Sequence, residues 1–298
     1  MNISLIDFYK KFADEIYCIK YLETMRWGEK IVCPHCSCDK IYRFSNGRLL
    51  KCAGCKKQFT VRIGTIFEDS HLPLQKWFLA VYMLTSLKKG ISSVQIGKAL
   101  GITQKSAWFV LHRIRYAVNN KTILKPLSGI VEADETYQGG QASGSRGRGS
   151  NNKTKIFGLK ERQGDVRMQV VENVKRKTLL PIIKKNVEEG SVMATDEFLT
   201  YTSLDKEGYE HKTVNHGAGE FVKGVAHTNG LENTWSHFKR GVTAIQIHIS
   251  KKHTNKYLDE YAFRLNTKSM TDSERFESWF NYCGRRLTYK KLIGLTNY

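Results

Sequence analysis

No apolar run in this chain approaches the roughly 18 residues a bilayer-spanning helix needs; the longest, Trp77 to Leu84, has eight. The opening stretch, Met1 to Glu15, lacks the apolar segment and cleavage site of a secretory signal. A cytoplasmic protein is expected. Acidic residues are also missing over long stretches. None occurs from Ser70 to Val131, a window with nine Lys or Arg between Lys76 and Lys125. A second gap, Thr136 to Lys160, adds five more. The net charge is +20, and stretches this one-sided exceed what solubility requires. Basic surface without acidic counterweight is the footprint of a polyanionic partner. Hydrophobic residues make up 41% of the chain, enough for a packed core, and 298 residues accommodate about two domains.

Seven cysteines are present, an odd number. Four form Cys33-Pro34-His35-Cys36 and Cys52-Ala53-Gly54-Cys55, with fifteen residues between the pairs. Two such knuckles supply a tetrahedral thiolate cage for structural Zn²⁺. Lys51, Lys56 and Lys57 offset the thiolate charge. Disulfides do not suit a cytosolic chain. A redox pair usually comes singly, within a βαβ pattern that is absent here. Cys38 and His35 are near enough to stand in as ligands, although the spacing favours the four cysteines. Cys18 and Cys283 read as core thiols.

Leu74 to Leu87 reads as a buried helix, apolar nearly all round. Ser92 and Ser93 are N-cap residues for a short helix ending at Gly101, where a left-handed backbone is inexpensive. Thr103 caps a second helix, Gln104 to Val118. Helix, glycine turn, helix is the layout of a DNA-reading motif. The second helix is expected to bury Ala107, Val110, Leu111 and Ile114. It is expected to expose Gln104, Lys105, Ser106, His112, Arg113 and Arg115, with Lys105, Arg113 and Arg115 as DNA contacts. A helical linker with no DNA role remains the alternative.

From Gly129 the pattern turns to strands. Ile130 to Asp134 is expected to be a strand ending on its acid. A Gly/Ser/Asn-rich loop from Gly139 to Asn152 follows, with Arg146 and Arg148 placed to close on a phosphate backbone. Lys155 to Glu161 and Val166 to Val171 read as a hairpin around Gln163-Gly164-Asp165. Thr178 to Glu188 reads as a helix with Pro181 in its first turn. Ser191 to Asp196 is a buried strand and His211 to Asn215 another, with a helix between them. His227 to Arg240 is the next helix. The expected fold class is therefore α/β and multi-domain: zinc ribbon with a leading helix (1–70), helix-turn-helix segment (71–125), ribonuclease H-like mixed sheet flanked by helices (126–266) and helical tail (267–298).

Acids at the ends of two strands and on a later helix can converge at one sheet edge. Along the first strand Glu132 and Asp134 share a face and Glu135 points the other way. Glu135 and Glu197 are therefore poorer ligands, though placed to tune the site. Lys239 lies two turns after Glu232 on the same helix face. Trp235, one turn from Glu232, reads as a core aromatic. His227 and Asn229 are placed to cap this helix or to sit near a metal.

Several stretches together resemble bacterial insertion-sequence transposases of the Asp-Asp-Glu superfamily, in the branch with a zinc ribbon before the catalytic domain. They are Val131-Glu132-Ala133-Asp134-Glu135-Thr136-Tyr137, Ala194-Thr195-Asp196-Glu197, His227 to Gly241 and Tyr257 to Asn266. The resemblance covers roughly Leu22 to Asn266. It implies a catalytic triad of Asp134, Asp196 and Glu232 holding two Mg²⁺, with Mn²⁺ able to substitute. Asn229 is the alternative third position, and the register with Lys239 favours Glu232. It also implies binding to terminal inverted repeats, cleavage at the element ends and joining of 3′-hydroxyls to target DNA. Paired cations clamp the attacking and leaving oxygens of a phosphodiester. Lys239 would grip a phosphate or the terminal bases. The implied partners are double-stranded DNA and further copies of the chain, at the bacterial nucleoid. Two other readings are a catalytically silent DNA-binding regulator and a ribonuclease H-like nuclease or resolvase. The intact triad speaks against the first, and the ribbon with helix-turn-helix against the second.

Overall fold

The computed structural model describes residues 4–119, 125–139, 153–196, 198–214 and 227–295. They form two compact units, one from residues 1–120 and 267–298, the other from 121–266. The ribbon, the paired helices and the tail, distinct segments in the sequence, pack as one unit. Among the described residues no helix is long and apolar enough to cross a membrane.

The first unit opens with α1 (Leu5–Lys11) and α2 (Glu15–Trp27), capped by Ser4 and Asp14. A small antiparallel sheet follows, β1 (Ile41–Arg43), β2 (Leu50–Cys52) and β3 (Gln58–Phe59). Then come α3 (Leu74–Ser86), α4 (Ser93–Leu100) and α5 (Gln104–Val118). The tail supplies α9 (Asp272–Trp279) and α10 (Tyr289–Ile293). Its aromatics join the core: Phe280 meets Phe78 with ring centroids 5.0 Å apart, and Phe276 meets Phe12 at 5.6 Å. Each such buried ring contributes about 1.5–3 kcal/mol, so the tail holds the unit together.

The second unit holds β4 (Ile130–Gln138), β5 (Thr154–Glu161), β6 (Val166–Val171), α6 (Arg176–Asn186), β7 (Val192–Asp196), β8 (Glu210–Val214), α7 (Asn229–Gly241) and α8 (Thr254–Asn266). The strand order is β6-β5-β4-β7-β8. β4, β5 and β6 pair antiparallel, while β4, β7 and β8 run parallel. Strand alternation gives the sheet two apolar faces. Val131, Ala133, Phe157 and Met193 meet Leu179 and Ile183 of α6 on one face. Ile156, Val166 and Met168 meet Leu231, Trp235 and Phe238 of α7, with Leu258 of α8, on the other.

Three expectations need correction. β4 does not stop at Asp134, because its antiparallel partner β5 continues beside it to the Gln138–Thr154 pair. α6 starts at Arg176, which puts Pro181 in the second turn rather than the first. Between β7 and β8 there is no α-helix among the described residues, only 3₁₀ turns at Leu199–Tyr201 and Leu204–Glu207, the latter closed by left-handed Gly208. Tyr201, Leu204 and Tyr209 bury themselves in the α6-side core, and that packing fixes the short crossover.

Candidate active site

Register sets the first two acids side by side. Ile130 pairs with Val192 and Glu132 with Ala194. Two residues further along the same parallel register, Asp134 is level with Asp196, on the same face. Adjacent strands lie about 4.8 Å apart. Parallel pairing ends at Glu132, so both carboxylates stand where the sheet opens. Phe198 N–H donates to Asp196 Oδ1 at 3.1 Å.

The third acid comes from α7, which lies over this face. Trp235 sits on β5 where Gly158 pairs with Asp134. A Cβ at Gly158 would come within 2.5 Å of the Trp235 ring. An isolated glycine inside an apolar strand marks such a close approach. From there the indole Nε1 donates to Asp134 Oδ2 at 2.9 Å. Trp235 is thus both a core aromatic, as expected, and a partner of the first acid. One turn earlier, Glu232 is exposed and its Oε1 accepts from the Thr228 hydroxyl at 3.0 Å.

Asp134 senses the charges of the other two acids. Asp134 has its pKa raised from 3.8 to about 6, first by burial, then by the negative charges of Asp196 and Glu232; the Trp235 hydrogen bond opposes the rise. Carboxylate oxygens suit hard divalent cations, and a cation here would relieve the repulsion. The Lys239 side chain is largely exposed, but partial burial of its ammonium lowers its pKa, while nearby Asp134 opposes the shift. Lys239 is therefore near enough to Asp134 to feel its charge. Glu135 points to the opposite face, where its Oε2 accepts from the Tyr201 hydroxyl at 2.8 Å. Glu197, Arg146 and Arg148 lie outside the described residues.

Sequence reasoning missed the residues that seat α7. Thr228, the N-cap, offers no side-chain cap, and neither His227 nor Asn229 takes that role. Glu132, 2% exposed, accepts from Leu231 N–H at 2.9 Å instead. Lys160 Nζ donates to the Gly230 carbonyl at 2.9 Å, and Arg162 Nη2 to the His227 carbonyl at 3.3 Å. The available signal was strand parity, which puts Glu132 on the Asp134 face.

The metal-binding end of the other unit is compact. Ligand atoms of Cys33, Cys36, Cys52 and Cys55 all lie within 4.8 Å of one another. The Cys33–Cys55 and Cys36–Cys52 sulfurs are 3.7 and 3.5 Å apart. A tetrahedral ion with bonds of about 2.3 Å separates its sulfurs by roughly 3.8 Å, so the donor set fits zinc. Cys38 and His35 are not in the group.

The helix pair forms as expected: Ser92 and Gln95 make a capping box, Gly101 is left-handed with φ of 60°, and Thr103 caps α5. Ala107, Val110, Leu111 and Ile114 are buried. Gln104, Lys105 and Ser106 are exposed. His112, Arg113 and Arg115 are not, which corrects their assignment to the exposed, DNA-facing set. The C-terminal half of α5 is enclosed. The Arg113 guanidinium lies 5.3 Å from the Trp77 ring centroid and donates to the Glu68 carbonyl. Burial pushes its pKa down to about 10.

Residues 126–266 match the model of the ISXO2-like transposase domain, and residues 13–58 that of a transposase zinc-ribbon domain. A protein described as uncharacterized in transposable element ISH50 of Halobacterium salinarum is 28% identical, over 86% of this chain and 92% of its own length. A transposase-like protein of Haemophilus influenzae is 37% identical, over 34% of this chain and 80% of its own. Among solved structures, the Mos1 strand transfer complex aligns with a TM-score of 0.31 at 13% identity, over 73% of this chain and 78% of that one. The Mos1 mariner paired-end complex with Mn aligns at 0.29 and 13%, over 65% and 71%. Superpositions at that level are loose, and the family rests on the sequence matches. With its cysteine cage and its DDE domain, the chain belongs to the IS1595 group of insertion-element transposases.

Proposed function

We propose that this protein cleaves DNA at the ends of an insertion sequence and joins the freed 3′-hydroxyls to target DNA. The observation that carries the reading is the level, same-face placement of Asp134 and Asp196 on adjacent parallel strands, with Glu232 on the helix over that face near enough for its charge, like that of Asp196, to raise the Asp134 pKa. These three carboxylates would hold two Mg²⁺, or Mn²⁺ in their place. Held there, divalent cations would supply the Lewis acidity that lets water and then a 3′-hydroxyl act as nucleophile and that offsets charge on the leaving oxygen. Trp235 holds one oxygen of Asp134. Lys239, which feels the charge of Asp134, grips a phosphate of the cut strand.

The ribbon and the α4–α5 pair recognise the terminal inverted repeats. Exposed Gln104, Lys105 and Ser106 lie in the first turn of α5, where recognition helices contact base edges. Two ends must be brought together, so the active form is an oligomer of this chain on DNA.

The test is strand transfer with purified protein, Mg²⁺, labelled inverted-repeat DNA and a plasmid target, beside Asp134→Ala and Glu232→Ala. Joined products that vanish in both variants support the reading. End binding without cleavage or joining by the wild type, in Mg²⁺ and in Mn²⁺, would favour a silent DNA-binding regulator.

A further inference from the structure

Glu132 is an acid the proposed chemistry does not use, yet it is the more buried of the two acids on its strand face. Its side chain is 3% exposed. A carboxylate that far from water normally sits beside a cation or a set of N–H donors. Both are present. Oε2 accepts from Leu231 N–H at 2.9 Å, a donor that the Thr228 carbonyl shares at 2.9 Å. Oε1 lies 3.5 Å from Arg162 Nη2 and 3.6 Å from His227 Nδ1.

The acceptor belongs to β4 and the donor to the first turn of α7, the turn that carries Glu232. A helix start exposes unpaired N–H groups and partial positive charge, and a carboxylate satisfies both. A capping residue normally comes from the chain just before the helix. Here that residue, Thr228, has its hydroxyl on Glu232, and the cap comes from the strand that bears Asp134. The approach is close: a Cβ at Gly230 would stand 2.6 Å from Glu132 Oε2, so any larger residue there must displace the carboxylate. Lys160, which pairs with Glu132 across the sheet, holds the Gly230 carbonyl from the other side.

We infer that Glu132 is a positioning residue that fixes the third metal-binding acid relative to the first, by tying the start of the α7 helix to the strand two residues before Asp134. The inference rests on the proposed two-cation site. Its chemistry is that of an outer acceptor that orients a ligand without touching the ion.

The test uses Tb³⁺ as a probe for the carboxylate site, on the full chain. Trp235 is the one tryptophan between residues 121 and 266, so emission lost in Trp235→Phe reports this site. Glu132→Ala should shift half-saturation by about tenfold or more toward weaker binding, the usual range for an outer partner of a metal ligand. Glu132→Gln, which keeps an acceptor oxygen, should recover much of the loss. Gly230→Ala, which displaces the carboxylate without removing it, should resemble Glu132→Ala and decides the matter if that variant fails to fold. Hydrogen exchange at the Leu231 amide should quicken in parallel. Wild-type-like Tb³⁺ titration in Glu132→Ala or Gly230→Ala, with folding and end-DNA binding intact, would overturn the positioning role alone. A wild-type chain with no Trp235-dependent emission would overturn the two-cation reading and this role with it.

Discussion

The indole of Trp235 donates to the carboxylate of Asp134 at 2.9 Å while its six-membered ring covers Gly158, the residue paired with Asp134 across the sheet. One side chain thus spans the helix and both strands at the first acid. Trp235→Phe keeps a ring but loses the donor, a hydrogen bond to a charged group, at about 1.5–3 kcal/mol. Gly158→Ala inserts a methyl where there is no room, for about 1–3 kcal/mol. The atoms that the methyl meets, Cζ2 and Cη2, exist in Trp and not in Phe. The cost of Gly158→Ala should therefore shrink in the Trp235→Phe background, measured by thermal unfolding of all four proteins. Strictly additive costs would disprove the contact.

Asp134 makes the metal-free protein pH-sensitive in a definite direction. Its pKa in the folded chain, about 6, lies above its ordinary 3.8 because burial disfavours the charge. The native state then holds the proton more tightly than the unfolded chain, and stability falls as pH rises between those values. A shift of that size corresponds to at most about 3 kcal/mol, fully expressed above pH 6. Asp134→Asn should raise the Tm in EDTA at pH 8 and leave it unchanged near pH 3. It should also abolish any rise in Tm on adding Mg²⁺, since the ligand is gone. A variant that melts below wild type at pH 8 in EDTA would contradict the burial argument.

What was legible in the sequence depended on how local the determinants are. Ser92, Gly101 and Thr103 mark the ends of α4 and α5 because caps and a left-handed turn are set by the residues themselves. The hairpin between Glu161 and Val166 was equally plain, with Gln163 at φ of 65° and Gly164 beside it. The position of Asp134 inside β4 was hidden, because a strand's length depends on a partner that comes later in the chain. Arg113 and Arg115 read as surface cations on helical period alone, yet both are buried; for Arg113 the enclosing neighbours are Trp77 and Glu68, distant in sequence. Glu132 was placed on the correct face, but nothing local revealed that it caps a helix ninety-nine positions away.

The ribbon should depend on its ion. Its sheet has only the short strands β1, β2 and β3, with a small apolar cluster around Leu50 and Phe59. A core that small is held mainly by metal binding. One zinc per chain should be found by atomic absorption, and Cys33→Ser or Cys55→Ser should lose it. Cys38→Ser should retain it, because that sulfur is outside the four-ligand group. Zinc lost in Cys38→Ser and kept in Cys33→Ser would reassign the cage.

Lys105 and Arg113 are both cations on α5, and the structure separates them. Lys105 is exposed in the first turn, while Arg113 is 4% exposed and bound to the Glu68 carbonyl. A phosphate or base contact needs a side chain free to reach the duplex; a buried guanidinium serves packing. Lys105→Ala should leave the folding stability within about 0.5 kcal/mol of wild type. It should also weaken end binding and lower the salt dependence of the binding constant, by about one unit if the contact is to phosphate. Arg113→Ala should do the reverse, lowering stability by about 3 kcal/mol or more through unpaired buried acceptors and lost packing, with the salt slope unchanged for the fraction that remains folded. Fluorescence anisotropy at several salt concentrations, beside thermal melts, reads both. A reduced salt slope in Arg113→Ala with normal stability would return that arginine to the DNA-facing surface.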